Sequence, residues 1–246
     1  KRTPCSTRVK KYLLLTFLLI AGALFLIYIG VGRSHPRALE KLPEETPRHA
    51  QTSVPLSSIT IRAIYFVPQN KTSDISSTWR EDLGRKLAEL EKFHNLQLQQ
   101  KSNLDTFVEE EPTIGLADSL TYNTESTQHG NPEALRRVTE ELETRGIWRV
   151  EQAGNSYEIL LIIYEGVGAA ASDNVILLSR TFVTDPLYER VGETTLTHEF
   201  YHTLGLADAY DPETAAPTSF DIMGRSRSRP LRNTFLSRES LAHLGL

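Results

Sequence analysis

The sequence predicts an α+β domain, in which helices pack on a twisted mixed sheet, preceded by one transmembrane helix. Three features indicate this: a long apolar run near the amino terminus, short runs of β-branched residues, and segments with apolar residues at every third or fourth position. Strands and helices mixed along one chain favour a sheet covered by helices. The 246 residues suffice for one sizeable domain with appendages, or for two small domains.

The apolar run near the amino terminus has the length of a membrane span. Residues 12–31 read YLLLTFLLIAGALFLIYIGV, without a charge or a proline. A helix of about twenty residues rises about 30 Å, which matches the hydrocarbon core of a bilayer. A cleaved signal peptide is the alternative, but its apolar region is usually only about 7 to 15 residues long. We therefore expect an uncleaved signal-anchor helix at residues 12–32.

Charge predicts the orientation of this helix. The cytoplasmic stub, residues 1–11, carries five basic residues and no acid, so the positive-inside rule places the following chain outside the cytoplasm. The formal net charge is −4, and these eleven residues carry +5, which leaves −9 for the remainder. An acidic outer part does not have the basic surface that nucleic-acid binding requires.

Two further regions follow the predicted anchor. Residues 33–57 are rich in proline, serine, threonine and charge, show no sustained period, and are typical of a stalk. Residues 58–246 are predicted to fold. The single cysteine, Cys5, lies in the stub, so the outer part has no intrachain disulfide.

The predicted strands are short and rich in β-branched residues. The first begins at Ile59, where TIRAIYFV alternates. Residues 158–164 (EILLIIY) and 174–179 (NVILLS) are two more, separated by GVGAAASD, and each is either a central or an edge strand.

The predicted helices have recognisable starts. Ser77 is suited to cap a helix over residues 79–94, where apolar residues recur at spacings of three and four. Asn131 and Pro132 form a cap and first-turn pair for a second helix, which ends before Gly146. Two further helices are predicted over residues 193–204 and from Ser237.

The segment THEFYHTLGLAD has the spacing that a zinc ion requires. His198 and His202 lie one helical turn apart, so both imidazoles can face one ion. Glu199 is rotated by about 100° from His198 and is placed to hold a water at the metal. Gly205 can take a positive φ, end the helix and turn the chain so that Asp208 becomes the third ligand.

Three protein ligands leave a fourth position for water, which is the catalytic arrangement of zinc. Asp211 and Glu213 are nearby alternative oxygen donors, but only Asp208 has the register set by Gly205. The alternative to a metal site is two histidines on a helix surface beside a solvated glutamate. HExxH alone is a moderate signal, and the added glycine and aspartate make it much more specific.

This motif, HExxHxxGxxD, resembles the zinc signature of the metzincin metallopeptidases in its snapalysin-like variant. Metzincins place a methionine turn beneath the metal, and Met223 in SFDIMG, the only methionine, follows Asp208 at a suitable distance. Some metzincins have a tyrosine two residues after this methionine, where this chain has Arg225, so no tyrosine role is carried over. The resemblance implies a zincin-like fold and one catalytic Zn²⁺.

The sequence therefore predicts a single-pass, membrane-anchored zinc endopeptidase with an extracytoplasmic catalytic domain. The expected mechanism uses a metal-activated water and Glu199 as general base, with proteins or peptides as substrates. The alternative is a membrane-tethered module that binds zinc without turnover. Intact His198, Glu199 and His202 favour the enzyme.

Two regions near the motif have open interpretations. By resemblance, residues 174–179 are either the sheet edge along which an extended substrate pairs or an interior strand. Residues 225–232, RSRSRPLR, either face the cleft and favour acidic substrates or form a solvated loop.

Overall fold

A six-stranded mixed sheet with helices on both faces forms the domain in the computed structural model, which describes residues 56–123, 130–149, 156–211 and 214–246. This confirms the prediction of a mixed α+β class. The strands are β1 (Ser58–Val67), β2 (Asn103–Val108), β3 (Thr113–Ile114), β4 (Tyr157–Tyr164), β5 (Ala169–Ser172) and β6 (Val175–Ser179).

The sheet is parallel except at one edge. Its order is β2-β1-β4-β6-β5, and β3 pairs with the end of β1. Only β5 runs antiparallel, next to β6. The strands predicted from Ile59 and over residues 158–164 and 174–179 are confirmed, whereas β2, β3 and β5 were not predicted.

The strand over residues 174–179 lies inside the sheet. β6 is buried along its whole length, and it pairs with β4 on one side and β5 on the other. The interpretation of this strand as the sheet edge is therefore wrong, because the alanine-rich segment that follows β4 folds back as β5 and occupies that edge. Its small side chains gave no strand signal in the sequence.

Within the described residues, four α-helices of six or more residues surround the sheet, and three of their starts match the sequence. They are α1 (Trp79–Gln97), α2 (Pro132–Thr144), α3 (Gly192–Thr203) and α4 (Arg238–His243). Asn131 caps α2 through the Ala134 amide at 3.2 Å, and Ser237 caps α4 through the Ser240 amide at 3.1 Å. The other helices are 3₁₀ helices or single α-turns, and they span Gln69–Asp74, Ser119–Tyr122, Thr181–Thr184, Pro186–Tyr188, Arg225–Ser228 and Leu231–Asn233.

The predicted cap of α1 is wrong by one residue. Thr78, not Ser77, precedes the first helical residue, and its side chain makes no capping bond to the backbone. Its Oγ1 instead donates to the carboxylate of Asp82 at 2.7 Å.

Two apolar cores lie on opposite faces of the sheet. Successive strand residues point to opposite faces, so Ile61 and Ile163 belong to the core that contains α1 and α3. Phe66 and Leu160 belong to the other core, which α2 covers. The first core supports α3, the helix that carries the HExxH motif.

The predicted stub, anchor helix and nearly all of the stalk lie outside the described residues. Within the described residues, no helix is both long and apolar enough to cross a bilayer.

Candidate metal centre

The two histidines of α3 are oriented by backbone carbonyls. Nδ1 of His198 lies 3.0 Å from the carbonyl oxygen of Ile222, and Nδ1 of His202 lies 2.7 Å from that of Leu206. A carbonyl only accepts, so both Nδ1 atoms carry the proton. In the neutral rings, each Nε2 therefore presents a bare lone pair to the site.

These two Nε2 atoms meet a carboxylate oxygen in a nearly regular triangle. They are 3.1 Å apart, and Oδ1 of Asp208 lies 3.1 Å from His198 Nε2 and 3.3 Å from His202 Nε2. Ligand atoms about 2.0 Å from a tetrahedral zinc are separated by about 3.3 Å. The triangle therefore has the size of one face of a zinc coordination tetrahedron.

The donor set requires a positive charge. Three acceptor atoms this close repel one another unless a cation or a proton lies between them. Burial acts to lower the pKa of His202, but its hydrogen bond with Asp208 and the charge of Glu199 outweigh burial and raise that pKa. Among the described residues, His198, His202 and Asp208 form the group of acids and histidines compact enough to hold one metal ion.

Gly205 supplies the turn that brings Asp208 to the histidines. Its φ is +92°, a region that favours glycine, and its amide bonds the His202 carbonyl at 2.9 Å. The amide of Leu206 reaches back to the Tyr201 carbonyl at 3.1 Å, which closes the end of α3. The alternative donor Asp211 lies outside the metal-binding group, and Glu213 lies outside the described residues.

The turn that contains Met223 lies against both parts of the site. Met223 is buried in the core beneath α3. Its carbonyl accepts from the Ala209 amide at 2.8 Å, next to Asp208, and the preceding carbonyl is the partner of His198. This turn therefore connects the first and third predicted ligands.

Glu199 follows His198 on α3 and is half-buried. Burial raises the pKa of its carboxyl, and this effect exceeds the opposing charges of His198 and His202. A carboxylate with a raised pKa is a stronger base than an exposed glutamate. Its surroundings thus suit a group that accepts and returns a proton.

Two residues near the third ligand were not singled out in the sequence. Burial raises the pKa of the Tyr210 hydroxyl to about 12, and its hydrogen bond with Asp208 adds to this shift. The guanidinium carbon of Arg227 lies 3.7 Å from the centroid of the Tyr210 ring. Arg227 was visible only as one of several arginines in RSRSRPLR, and no pattern marked Tyr210.

A third such residue is the buried aspartate Asp221. Its Oδ1 accepts from the Met223 amide at 2.9 Å, and its Oδ2 accepts from the hydroxyl of Ser240. Because Ser240 belongs to α4, this carboxylate links the carboxy-terminal helix to the turn beneath the site.

The structure thus brings together the residues that the sequence singled out. Whether His198, His202 and Asp208 bind zinc, and whether Glu199 is the base, stay predictions that this geometry supports.

Comparisons with known proteins find similarity only among solved structures. No protein family matches the sequence, and no curated protein matches it. Wild-type OgpA from Akkermansia muciniphila is 16% identical with a TM-score of 0.46, over 76% of this chain and 59% of OgpA. Catalytically inactive OgpA in complex with an O-glycopeptide (glycodrosocin) substrate is 14% identical over the same shares, with a TM-score of 0.47.

A zinc-dependent peptidase from Methanocorpusculum labreanum is 14% identical, with a TM-score of 0.38, over 75% of this chain and 99% of that one. This chain therefore spans 59% of the length of OgpA and 99% of the length of the peptidase from Methanocorpusculum labreanum. At TM-scores this low, the function rests on the site residues of this chain.

Proposed function

We propose that this chain is a zinc-dependent endopeptidase of metzincin type, anchored to a membrane by residues 12–32. One observation carries the proposal: two imidazoles, with their protons committed to carbonyls, converge with Asp208 at 3.1–3.3 Å. Two histidines on a helix surface that bind no metal are not expected to share a triangle of acceptor atoms with a carboxylate, or to have both tautomers fixed.

Zinc fits this donor set. Two imidazole nitrogens and one carboxylate oxygen are its usual ligands in catalytic sites, and three protein ligands leave one position open. When bound, zinc supplies a Lewis acid that polarises a peptide carbonyl and makes water more acidic. Asp208 is more than one-third exposed, at 38%, whereas the side chains of His198 and His202 are only 7% and 12% exposed, so the site opens on the Asp208 side.

Glu199 is the proton carrier in this proposal. Its carboxylate accepts a proton from the attacking water and then donates it to the leaving amine, so the carboxylate is restored at the end of the cycle. The raised pKa of Glu199 favours the first transfer, because a stronger base takes the proton from water more readily. We propose that the turn around Met223 corresponds to the metzincin methionine turn and that it orients His198.

β5 is the segment we propose for substrate pairing. It pairs with β6 on one side and forms the end of the sheet order, next to α3. An extended peptide adds naturally to the free edge of such a strand through backbone hydrogen bonds. The alanine side chains of β5 leave room for larger substrate side chains.

Metal analysis and a peptide-cleavage assay on the purified full-length chain test the proposal. We expect one zinc per chain, loss of zinc in His202→Ala, and retained zinc without hydrolysis in Glu199→Gln. Hydrolysis by Glu199→Gln at the parental rate rejects the assignment of the base. Bound zinc with no hydrolysis by the parent supports the tethered, inactive module instead.

Membrane anchoring has its own test. We expect the full-length chain to stay with membranes during an alkaline carbonate wash, and a chain without residues 1–32 to be released. Protease accessibility in sealed vesicles then reports the side on which the domain lies.

A further inference from the structure

We propose that Arg227 binds a carboxylate of the peptide substrate and gives this enzyme a preference for acidic peptides, an inference that rests on the proposed peptidase function. The guanidinium carbon lies 3.7 Å above the ring of Tyr210, which is two residues beyond Asp208. Arg227 is therefore next to the loop that carries the third predicted ligand.

The backbone on both sides of Arg227 is anchored. Ser226 is buried, its amide bonds the Asp221 carbonyl at 3.1 Å, and its hydroxyl donates to the carbonyl of Phe220. On the other side, the hydroxyl of Thr194 in α3 donates to the carbonyl of Arg229. The segment is thus fixed between the turn beneath the site and the helix above it, and the position of Arg227 is set before any substrate arrives.

Arg227 differs from the other arginines of RSRSRPLR. It is half-buried, whereas Arg225, Arg229 and Arg232 are exposed. Arg225 also lies over an aromatic ring, but at 5.5 Å from the centroid of Phe220, which is itself 63% exposed. Of the two interpretations of this run, a cleft-facing role fits Arg227, and a solvated loop fits the other arginines.

The charge of Arg227 has no partner in an ion pair among the residues that the structure describes. None of the ion pairs formed within the described residues includes Arg227. Stacking on Tyr210 uses the flat face of the guanidinium, and a hydrogen bond to the Tyr210 hydroxyl uses one donor at its edge. The remaining N–H donors suit a planar, bidentate acceptor. A carboxylate has that shape.

The electrostatics of the site favour an anionic ligand here. The carboxylates of Glu199 and Asp208 balance a divalent zinc ion, so Arg227 leaves the loaded site with a net positive charge. A substrate carboxylate restores neutrality.

Paired peptide libraries test this inference. Each pair places glutamate or glutamine at one position of an otherwise degenerate peptide, and a further pair ends in a free carboxylate or an amide, which separates a side-chain source from a terminal one. We expect kcat/KM to favour one acidic member by about tenfold to hundredfold, as a charge-assisted bidentate contact allows. Arg227→Gln should bring that ratio close to one, and Arg227→Lys should keep part of it.

Arg225→Gln is the matched control, because it removes an arginine from the same 3₁₀ helix that stacks on an exposed ring. It should keep the parental ratio. If Arg227→Gln leaves this ratio unchanged, the inference is overturned, even if kcat/KM falls equally for both members of a pair. Arg227 then only supports the ring of Tyr210.

A binding measurement keeps this test separate from catalysis. Zinc-loaded Glu199→Gln should bind the acidic peptide more tightly than its amide partner in fluorescence anisotropy, and adding Arg227→Gln should remove the difference. If the parent cleaves no peptide, the proposed function is wrong. The binding measurement still decides the role of Arg227 in that case. Equal binding of both peptides, or binding of neither, overturns the inference.

Discussion

Nδ1 of His198 donates to the carbonyl oxygen of Ile222 at 3.0 Å, so the main chain next to Met223 sets the orientation of a predicted metal ligand 24 residues away in sequence. Partners of this kind fix both the tautomer and the ring plane, and their loss typically weakens metal binding about 10- to 100-fold.

Met223→Ala should therefore weaken zinc binding as well as the fold. Met223 is fully buried, and a truncation of this kind costs about 2 to 5 kcal/mol of unfolding free energy. The resulting cavity lets the turn shift, so we expect about tenfold or greater loss of zinc affinity in competition with a chelator. Met223→Leu keeps the volume and should lose less than about 1.5 kcal/mol. Unchanged zinc affinity in Met223→Ala would show that this turn does not contribute to metal binding.

Asp208→Ala should abolish tight zinc binding, because it removes one corner of the acceptor triangle. Loss of a ligand should exceed the effect of losing a ligand's partner, so we expect more than about a hundredfold loss of affinity. Asp211→Asn is the matched control and should bind zinc as the parent does, since Asp211 is not in the metal-binding group. Zinc loss in Asp211→Asn with retention in Asp208→Ala would reassign the third ligand.

Asp221→Ala should destabilise the domain and loosen α4. Asp221 is 1% exposed, and its side chain accepts from the Met223 amide and the Ser240 hydroxyl. Removing a buried acceptor leaves these donors unpaired, so we expect a loss of at least about 2 kcal/mol in urea unfolding. Asp105→Asn, on the exposed strand β2, should change stability by less than about 0.5 kcal/mol. Equal effects of the two variants would contradict this role.

His94 should make the fold sensitive to acid. Its Nδ1 accepts from the Tyr201 hydroxyl at 3.3 Å, its Nε2 donates to Ser102 Oγ at 2.8 Å, and Ser102 donates to the carbonyl of Leu56. This chain of bonds is complete only for a neutral ring. Burial lowers the pKa of His94 from 6.5 to about 4.

Between these two pKa values the unfolded chain binds a proton that the folded protein does not. Stability therefore falls as the pH drops from about 6.5 to about 4, by about 3 kcal/mol in all, and this contribution is constant outside that window. Urea unfolding at several pH values should show a flatter profile for His94→Gln than for the parent. Parallel profiles would mean that His94 does not titrate in this way.

The sequence predicted best the features that depend on local spacing. His198 and His202 are one turn apart on a helix whatever surrounds them, and Gly205 takes the positive φ that the motif requires. Asn131 and Ser237 cap their helices through amides three residues away, so the residues themselves predicted these starts.

Features that depend on distant parts of the chain could not be predicted in this way. The strand β5 consists mainly of alanine, and its position next to β6 depends on the tertiary fold. Arg227 differs from its neighbouring arginines in its burial and in its contact with Tyr210, 17 residues earlier. The acceptors for the two metal-site histidines are backbone atoms, whose positions no residue type reveals.

That last property makes the site tolerant of evolutionary change. Ile222 and Leu206 orient the imidazoles through main-chain oxygens, so the chemical identity of these two side chains matters for packing and little for hydrogen bonding. Side chains that line the cleft can therefore diverge, or be redesigned for a new recognition sequence, while the metal-holding geometry is inherited intact.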